Sequence, residues 1–205
     1  MSARRSAALR RLYSLYAPFY DALLTRFTRP GRAASVRLAA LQPGERVLIP
    51  GCGTGLDFAH LPKGVDLVAG DFAPPMVARA RRAAERAGFD PEAVQTLDAS
   101  RLPFPDASFD AVLLHLIVAV VPNPEAVVAE ARRVLRPGGR LGLFDKFAPD
   151  DQPVAAWRQA VNPLLAFFVT DVTRQAGPLL RGAGFAKEAD VPVRLNGLFR
   201  AIRAR

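Results

Sequence analysis

One cysteine, two histidines and one tryptophan are all that the 205 residues hold of those types. A lone Cys52 forms no internal disulfide, so no covalent staple supports the fold, and such sparing use of thiols suits a reducing, cytoplasmic compartment. Two His and one Cys do not furnish a dedicated zinc cage, and no metal site is expected. Long apolar runs are also missing. The longest, residues 111–121, is interrupted by His115 and falls well short of the roughly 18 residues that cross a bilayer. The first 30 residues lack the apolar run and small-residue cleavage site of a secretory signal. Only three of the 28 basic residues are Lys.

What remains is a chain that folds. Half of its residues are hydrophobic and 23% are charged, inside the globular range, and the length suits one domain better than two. The net charge of +9 sits at the ends: residues 1–46 carry nine Arg against Asp21 and Glu45, and residues 194–205 add four Arg and no acid. A polyanion, either an anionic membrane surface or nucleic acid, would be attracted to such ends, whereas an Arg-rich solvated surface would look the same. Within residues 1–30, Leu9, Leu12, Tyr16, Tyr20, Leu23 and Phe27 recur at helical spacing, with Pro18 breaking the pattern. This segment reads either as a lid or membrane-surface helix or as a helix packed on the domain's own core.

From residue 45 onward, short apolar runs alternate with helical patterns, the signature of an α/β fold with a mostly parallel sheet covered on both faces. Strands are expected at Arg46–Ile49, Asp66–Ala69, Ala93–Leu97, Asp110–Leu116, Arg140–Phe144, Ala189–Val193 and Leu198–Ile202. Helices are expected at Thr54–His60, Pro74–Ala87 with Gly88 as its stop, Pro124–Leu135, Val154–Phe168 and Thr173–Gly182. Arg136-Pro137-Gly138-Gly139 reads as a turn.

The most informative segment is V-L-I-P-G-C-G-T-G, residues 47–55, in which a buried strand runs into Gly51, Gly53 and Gly55. Glycines there let the backbone turn sharply and approach a ligand closely. A phosphate-binding loop would need G-x-x-x-x-G-K-[ST], and a dinucleotide site G-x-G-x-x-G; neither spacing is present. Asp71 ends the next apolar run, and ligands of open parallel sheets bind beyond the carboxyl ends of the strands, so its carboxylate would share the loop's crevice and could accept from both ribose hydroxyls. Asp98 follows the third strand, placed to accept from an exocyclic amine. Three such features at consecutive strand ends describe an adenosine-shaped pocket.

With G-C-G-T-G (residues 51–55), G-D-F-A-P-P-M (70–76), D-A-S-R-L-P-F-P-D-A-S-F-D-A-V (98–112) and V-L-R-P-G-G-R-L (134–141), the sequence resembles the class I S-adenosylmethionine-dependent methyltransferases. That resemblance implies a Rossmann-like seven-stranded sheet with the last strand antiparallel, and S-adenosylmethionine as cofactor. It implies that Gly51, Gly53 and Gly55 line the methionine portion, Asp71 the ribose, Phe72 and Met76 the adenine face, and Asp98 with Ala99 the adenine edge. A narrower likeness, through Y-A-P-F-Y-D (16–21), F-D-K-F (144–147), N-P-L-L (162–165) and G-L-F-R (197–200), is to bacterial phospholipid N-methyltransferases. It implies that Tyr20 belongs to a helix closing over the cofactor and that the protein sits peripherally on the inner face of the cell membrane. Quinone precursors and other small metabolites remain alternative acceptors, and a non-catalytic nucleoside- or lipid-binding protein is a third reading.

One departure stands out: where the family usually has an acidic residue, this chain has Ile49. Asp57 either replaces some of the missing charge or faces solvent in a first helical turn. Methyl transfer asks mainly for alignment rather than an obligatory catalytic side chain. His115, near the carboxyl end of the fourth strand, is the candidate base or acceptor-positioning group, set against a satisfied core residue. Asp145 and Lys146 would shape the acceptor site or form a solvated turn. Cys52 reads as a small loop residue, with no pattern to activate its thiolate. The N-P-P-[YF] signature of base-amine methylation is absent, which argues against nucleic acid as the acceptor. Sequence leaves the oligomeric state open.

Overall fold

A computed structural model describes residues 26–167 and 170–205. The chain divides into two units, residues 1–30 and 31–205. Of the first, residues 26–30 are described and are helical; the amphipathic pattern up to Leu23 lies outside the described residues. Everything below concerns the second unit.

Seven strands form one sheet among the described residues: β1 (Arg46–Pro50), β2 (Asp66–Asp71), β3 (Val94–Thr96), β4 (Phe109–His115), β5 (Leu135–Asp145), β6 (Lys187–Arg194) and β7 (Phe199–Ala204). Their order is β3-β2-β1-β4-β5-β7-β6. Strands β1 to β5 pair in parallel, and β7 runs antiparallel to both neighbours. This is the α/β architecture that the alternating pattern implies, with the antiparallel last strand that the family resemblance implies. The helices of this unit are α1 (residues 31–39), α2 (Pro74–Ala87), α3 (Pro124–Val134), α4 (Ala156–Phe167) and α5 (Ala176–Gly182).

The central strands read as unbroken apolar runs because both faces of the sheet are buried. Val47, Ile49, Ala111 and Leu113 point to one face, where they pack with Val36 and Ala39 of α1 and Val77, Ala80 and Ala84 of α2. Leu48, Val112 and Leu114 point to the other, against Val127, Val128 and Ala131 of α3 and Leu180 of α5. Helix α2 begins with two prolines and stops at Gly88, whose φ of 81° lets its N–H reach back to Ala84 and Glu85. Helix α3 is capped by Asn123, whose side chain accepts from the Ala126 N–H at 3.0 Å.

Three local readings are corrected. Residues 54–60 are not a helix: 54–57 form turns and only Phe58–His60 make a 3-10 turn, because Gly55 takes a φ of 80° and Asp57 is drawn inward. Arg136-Pro137-Gly138-Gly139 is not a free turn but an irregularity inside β5, whose register against β4 jumps from Phe109↔Leu135 to Ala111↔Arg140. The expected helix at Thr173 begins at Ala176, after a bridge between Gln175 and Ala148.

Gly31 in α1 faces the ring of Phe144, and a Cβ there would overlap it. That ring cannot yield freely, since it stacks on Phe199 and meets His115 edge-on. Although Ala normally stabilises a helix relative to Gly, Gly31→Ala is expected to destabilise by about 1–3 kcal/mol through overpacking. A chemical denaturation midpoint at or above wild type would contradict this.

Candidate active site

The strand order reverses between β1 and β4. The chain steps outward from β1 through β2 to β3, then returns to β4 on the opposite side, and open parallel sheets bind ligands in the crevice above the carboxyl ends at such a switch point. Residues 51–55 leave β1 into this crevice. Gly51, Gly53 and Gly55 all have positive φ, at 76°, 57° and 80°. A Cβ on Gly51 would overlap Ile117, and one on Gly55 would meet Phe58 and Ala83, whereas one on Gly53 would enter open space. The outer two glycines are thus required by packing, and the middle one presents bare backbone to the crevice.

Asp71 ties this loop to its neighbours. Its Oδ2 accepts the Gly53 N–H and its Oδ1 the Ala73 N–H, both at 2.9 Å. Each carboxylate oxygen retains a lone pair, so the half-buried group can still accept two hydroxyls. Phe72, the next residue, is 76% exposed, an apolar ring face offered to a ligand. Met76 lies one turn on in α2, half-buried.

After β3, Asp98 folds into a turn in which Oδ1 accepts the Ser100 N–H at 2.9 Å and hydroxyl at 2.6 Å. Those bonds hold its carboxyl below the usual range and leave Oδ2 outward. Ala99 is buried beneath it. Arg133 of α3 fixes the following segment, donating to Glu130 at 2.7 and 2.8 Å, to the Phe104 and Leu102 carbonyls at 2.7 and 3.0 Å, and to Asp106 at 2.8 Å. Sequence reasoning gives no hint of that clamp. Tyr20 lies outside the described residues.

Asp57 does not face solvent. It is 1% exposed, its Oδ2 accepting from Arg32 Nη1 at 2.6 Å and its Oδ1 meeting His115 Nδ1 at 2.6 Å. On the far side of the ring, His115 Nε2 lies 2.9 Å from Ser35 Oγ, which in turn is 3.1 Å from the Leu143 carbonyl. Burial opposes ionisation of Asp57, but the charges and hydrogen bonds of Arg32 and His115 outweigh it and hold the carboxyl far below its ordinary range. Both nitrogens of His115 are therefore engaged by protein groups, and its side chain is wholly buried. The sequence signal for this network was the helix pattern itself: Arg32, Ser35, Val36 and Ala39 share one face of α1, so two polar residues sit in its buried stripe.

Ile49 is 1% exposed within the core, and Asp57 is fully committed, so Asp57 does not stand in for the acidic group missing at 49. Asp145, also buried, accepts the Ala119 and Lys146 N–H groups at 2.8 Å each and fixes the turn after β4 rather than forming a solvated loop. Burial pushes the Cys52 thiol up to about 12, with Asp71 and Asp57 adding to the shift; it is not an activated nucleophile.

Residues 48–143 match the family model of a methyltransferase domain. A phosphatidylethanolamine N-methyltransferase of Cereibacter sphaeroides is 42% identical over 119 residues, 58% of this chain and 59% of that protein. A demethylmenaquinone methyltransferase of Thermus thermophilus is 41% identical over 143 residues, 65% of this chain and 64% of that one. This chain thus spans less than two thirds of the length of these curated relatives. Among solved structures, a SAM-dependent methyltransferase of Thermotoga maritima superposes with a TM-score of 0.66 at 22% identity over 95% of both chains.

Bare glycine backbone, an acceptor carboxylate and an exposed ring at the switch point are the arrangement that the resemblance to the class I S-adenosylmethionine-dependent methyltransferases implies. Residues 48–143 are therefore similar to the methyltransferase-domain family.

Removing the Asp57 charge leaves Arg32 and His115 buried without their shared partner, so Asp57→Asn is expected to cost about 3–5 kcal/mol. The folded carboxyl titrates below the unfolded one. Its contribution is therefore complete above the ordinary carboxylate range, about pH 4, and is lost as pH falls toward the folded value. Urea midpoints measured from neutral pH down to strong acid should fall below about pH 4 in wild type and change less in the variant; parallel profiles would contradict the assignment.

Proposed function

We propose that the protein transfers a methyl group from S-adenosylmethionine to the amine of a phospholipid headgroup of the phosphatidylethanolamine class. The observation that carries the reading is the 42% identity to the phosphatidylethanolamine N-methyltransferase. The surface of α4 supports it. Trp157 and Val161, one turn apart, are 54% and 38% exposed, and between Pro153 and Pro163 the only charged residue is Arg158, which is buried. An exposed aromatic on an uncharged face suits a lipid-water boundary. The arginines of residues 1–46 would favour an anionic, peripheral membrane location. A quinone precursor is the second acceptor, favoured by the 41% identity to the demethylmenaquinone methyltransferase.

When bound, S-adenosylmethionine supplies a methyl group already activated by its sulfonium. Gly53 would lie along its methionine portion, Asp71 would hold the ribose, and Phe72 with Met76 and the Asp98–Ala99 turn would hold the adenine. The remaining work is alignment, since orienting the reactants can supply most of the acceleration. His115, with both nitrogens engaged, acts in this reading by holding the ends of β4 and the glycine turn in place; it takes no proton from the acceptor.

Labelled cofactor presented with phosphatidylethanolamine vesicles, with a demethylated quinone and with neither should transfer label to the phospholipid first. Label on the quinone alone would replace the lipid reading with the second one. Losing charge-assisted hydrogen bonds at the ribose costs about 1.5–3 kcal/mol, so Asp71→Ala is expected to weaken S-adenosylmethionine binding at least about ten-fold by calorimetry. Unchanged affinity would remove Asp71 from the cofactor site.

A further inference from the structure

Among the described residues, Arg158 is the one buried cation that neither the fold nor the cofactor crevice explains. It is 4% exposed. Its Nη1 donates to the Val172 carbonyl at 2.7 Å, and its guanidinium carbon lies 5.2 Å from the Trp157 ring. Among the described residues no carboxylate comes within ion-pair distance of it. The charge that does act on it is a second cation, Arg200, which together with burial lowers the basicity of its guanidinium. Taking a guanidinium out of water beside another positive charge is costly, and buried charges are ordinarily paired. The other buried arginine, Arg32, has its carboxylate at 2.6 Å.

The surroundings place Arg158 at the catalytic end of the sheet. Arg200, the second residue of β7, pairs with Asp145, the last residue of β5, and donates its Nε–H to Asp190 at 2.7 Å. Lys146, the next residue after β5, donates to Thr170 at 3.0 Å and lies 5.4 Å over the Phe199 ring. Val172, which receives Arg158, belongs to the segment whose Asp171 N–H donates to the Ala119 carbonyl at 2.8 Å, beside the end of β4. Arg158 of α4, Lys146 just after β5 and Arg200 of β7 thus lie toward the carboxyl ends of β4 and β5; Lys146 is 3.9 Å from the Asp145 carboxylate and Arg200 is paired with Asp190, whereas Arg158 has no carboxylate among the described residues. A guanidinium fork suits an oxyanion, and cations converging from separate elements suit a tetrahedral oxyanion better than a planar carboxylate.

We propose that Arg158, with Arg200 beside it, receives a phosphate group of the methyl acceptor and so places that acceptor's nucleophile toward the crevice. The role in placing an acceptor rests on the methyl-transfer reading; the phosphate site itself does not.

The full-length protein is titrated by calorimetry, at constant ionic strength, with inorganic phosphate and separately with sn-glycero-3-phosphoethanolamine. S-adenosylmethionine is titrated in parallel. Saturable binding of at least one phosphate probe is expected in wild type. Arg158→Gln should weaken it at least about ten-fold, the loss expected for charge-assisted hydrogen bonds. Arg158→Lys should retain more of it than Arg158→Gln, Arg200→Gln should lose an intermediate share, and S-adenosylmethionine affinity should be unchanged throughout. Binding of both probes assigns the site to phosphate of any source, and binding of the glycerophosphodiester alone assigns it to a lipid headgroup. No saturable binding of either probe by wild type, or wild-type binding in both Arg158→Gln and Arg200→Gln, overturns the proposal. If Arg158→Gln does not fold, Arg158→Lys and Arg200→Gln decide, and wild-type affinity in both is the negative result. A wild-type protein that binds phosphate but neither binds nor consumes S-adenosylmethionine would overturn the methyl-transfer reading and leave the site standing.

Discussion

The buried carboxylate of Asp57 is the constraint on which the catalytic end of this protein depends. It accepts from Arg32 of α1 and meets His115 at the end of β4, and His115 passes the connection to Ser35 and the Leu143 carbonyl of β5. One charge thereby fastens a helix and two strands to the turn that leaves the glycine loop. Arg32 supplies the opposite charge, so the burial of Asp57 costs less than an isolated ion would. His115, its side chain wholly buried and held at both ring nitrogens, ties its neighbours together.

Two carboxylates flank the glycine loop, and their surroundings separate their roles. Asp57 is spent on protein partners. Asp71 holds backbone N–H groups of the loop and of the start of α2, yet stays half-exposed with acceptor capacity to spare. The loop is thus set by one acid from behind and by the other from the front, which explains how it keeps its shape with apolar Ile49 at the end of β1. The crevice does not need a third carboxylate for geometry; what Ile49 removes is negative charge facing the ligand.

The fold and the strand-end position of the candidate site residues were legible because their signals are local. Apolar runs of strand length, Gly88 as a stop, and Gly51, Gly53 and Gly55 beside Asp71 and Asp98 each state their meaning within a few residues. The structure places these groups at adjacent strand ends, as the pattern implies. What was hidden depends on pairing across the sequence. Asp57 read as a surface residue because its partners, Arg32 and His115, lie 25 and 58 residues away. Gly55 defeated the expected helix through a positive φ that no periodicity reports. The bulge at Pro137 and Gly138 looks in sequence like any turn, since only the register of β5 against β4 distinguishes the two.

The excess of arginine looks different once these partners are known. A solvated basic surface would leave the guanidiniums in water, where a surface pair is worth little. Instead Arg32 and Arg133 hold buried or half-buried acids and carbonyls, Arg140 reaches the Ala39 carbonyl and Glu45, and Arg174 caps the carbonyls of Val118 and Val121. Arg133, Arg140 and Arg174 each use the planar five-donor fork to close several acceptors at once, work that a lysine ammonium does less well. That accounts for the scarcity of Lys within the folded unit without recourse to a polyanion. It also isolates Arg158, which has the same fork, deeper burial than most and a single carbonyl to bind. The arginines that stabilise the fold bring their acceptors with them; among the described residues Arg158 meets only the Val172 carbonyl.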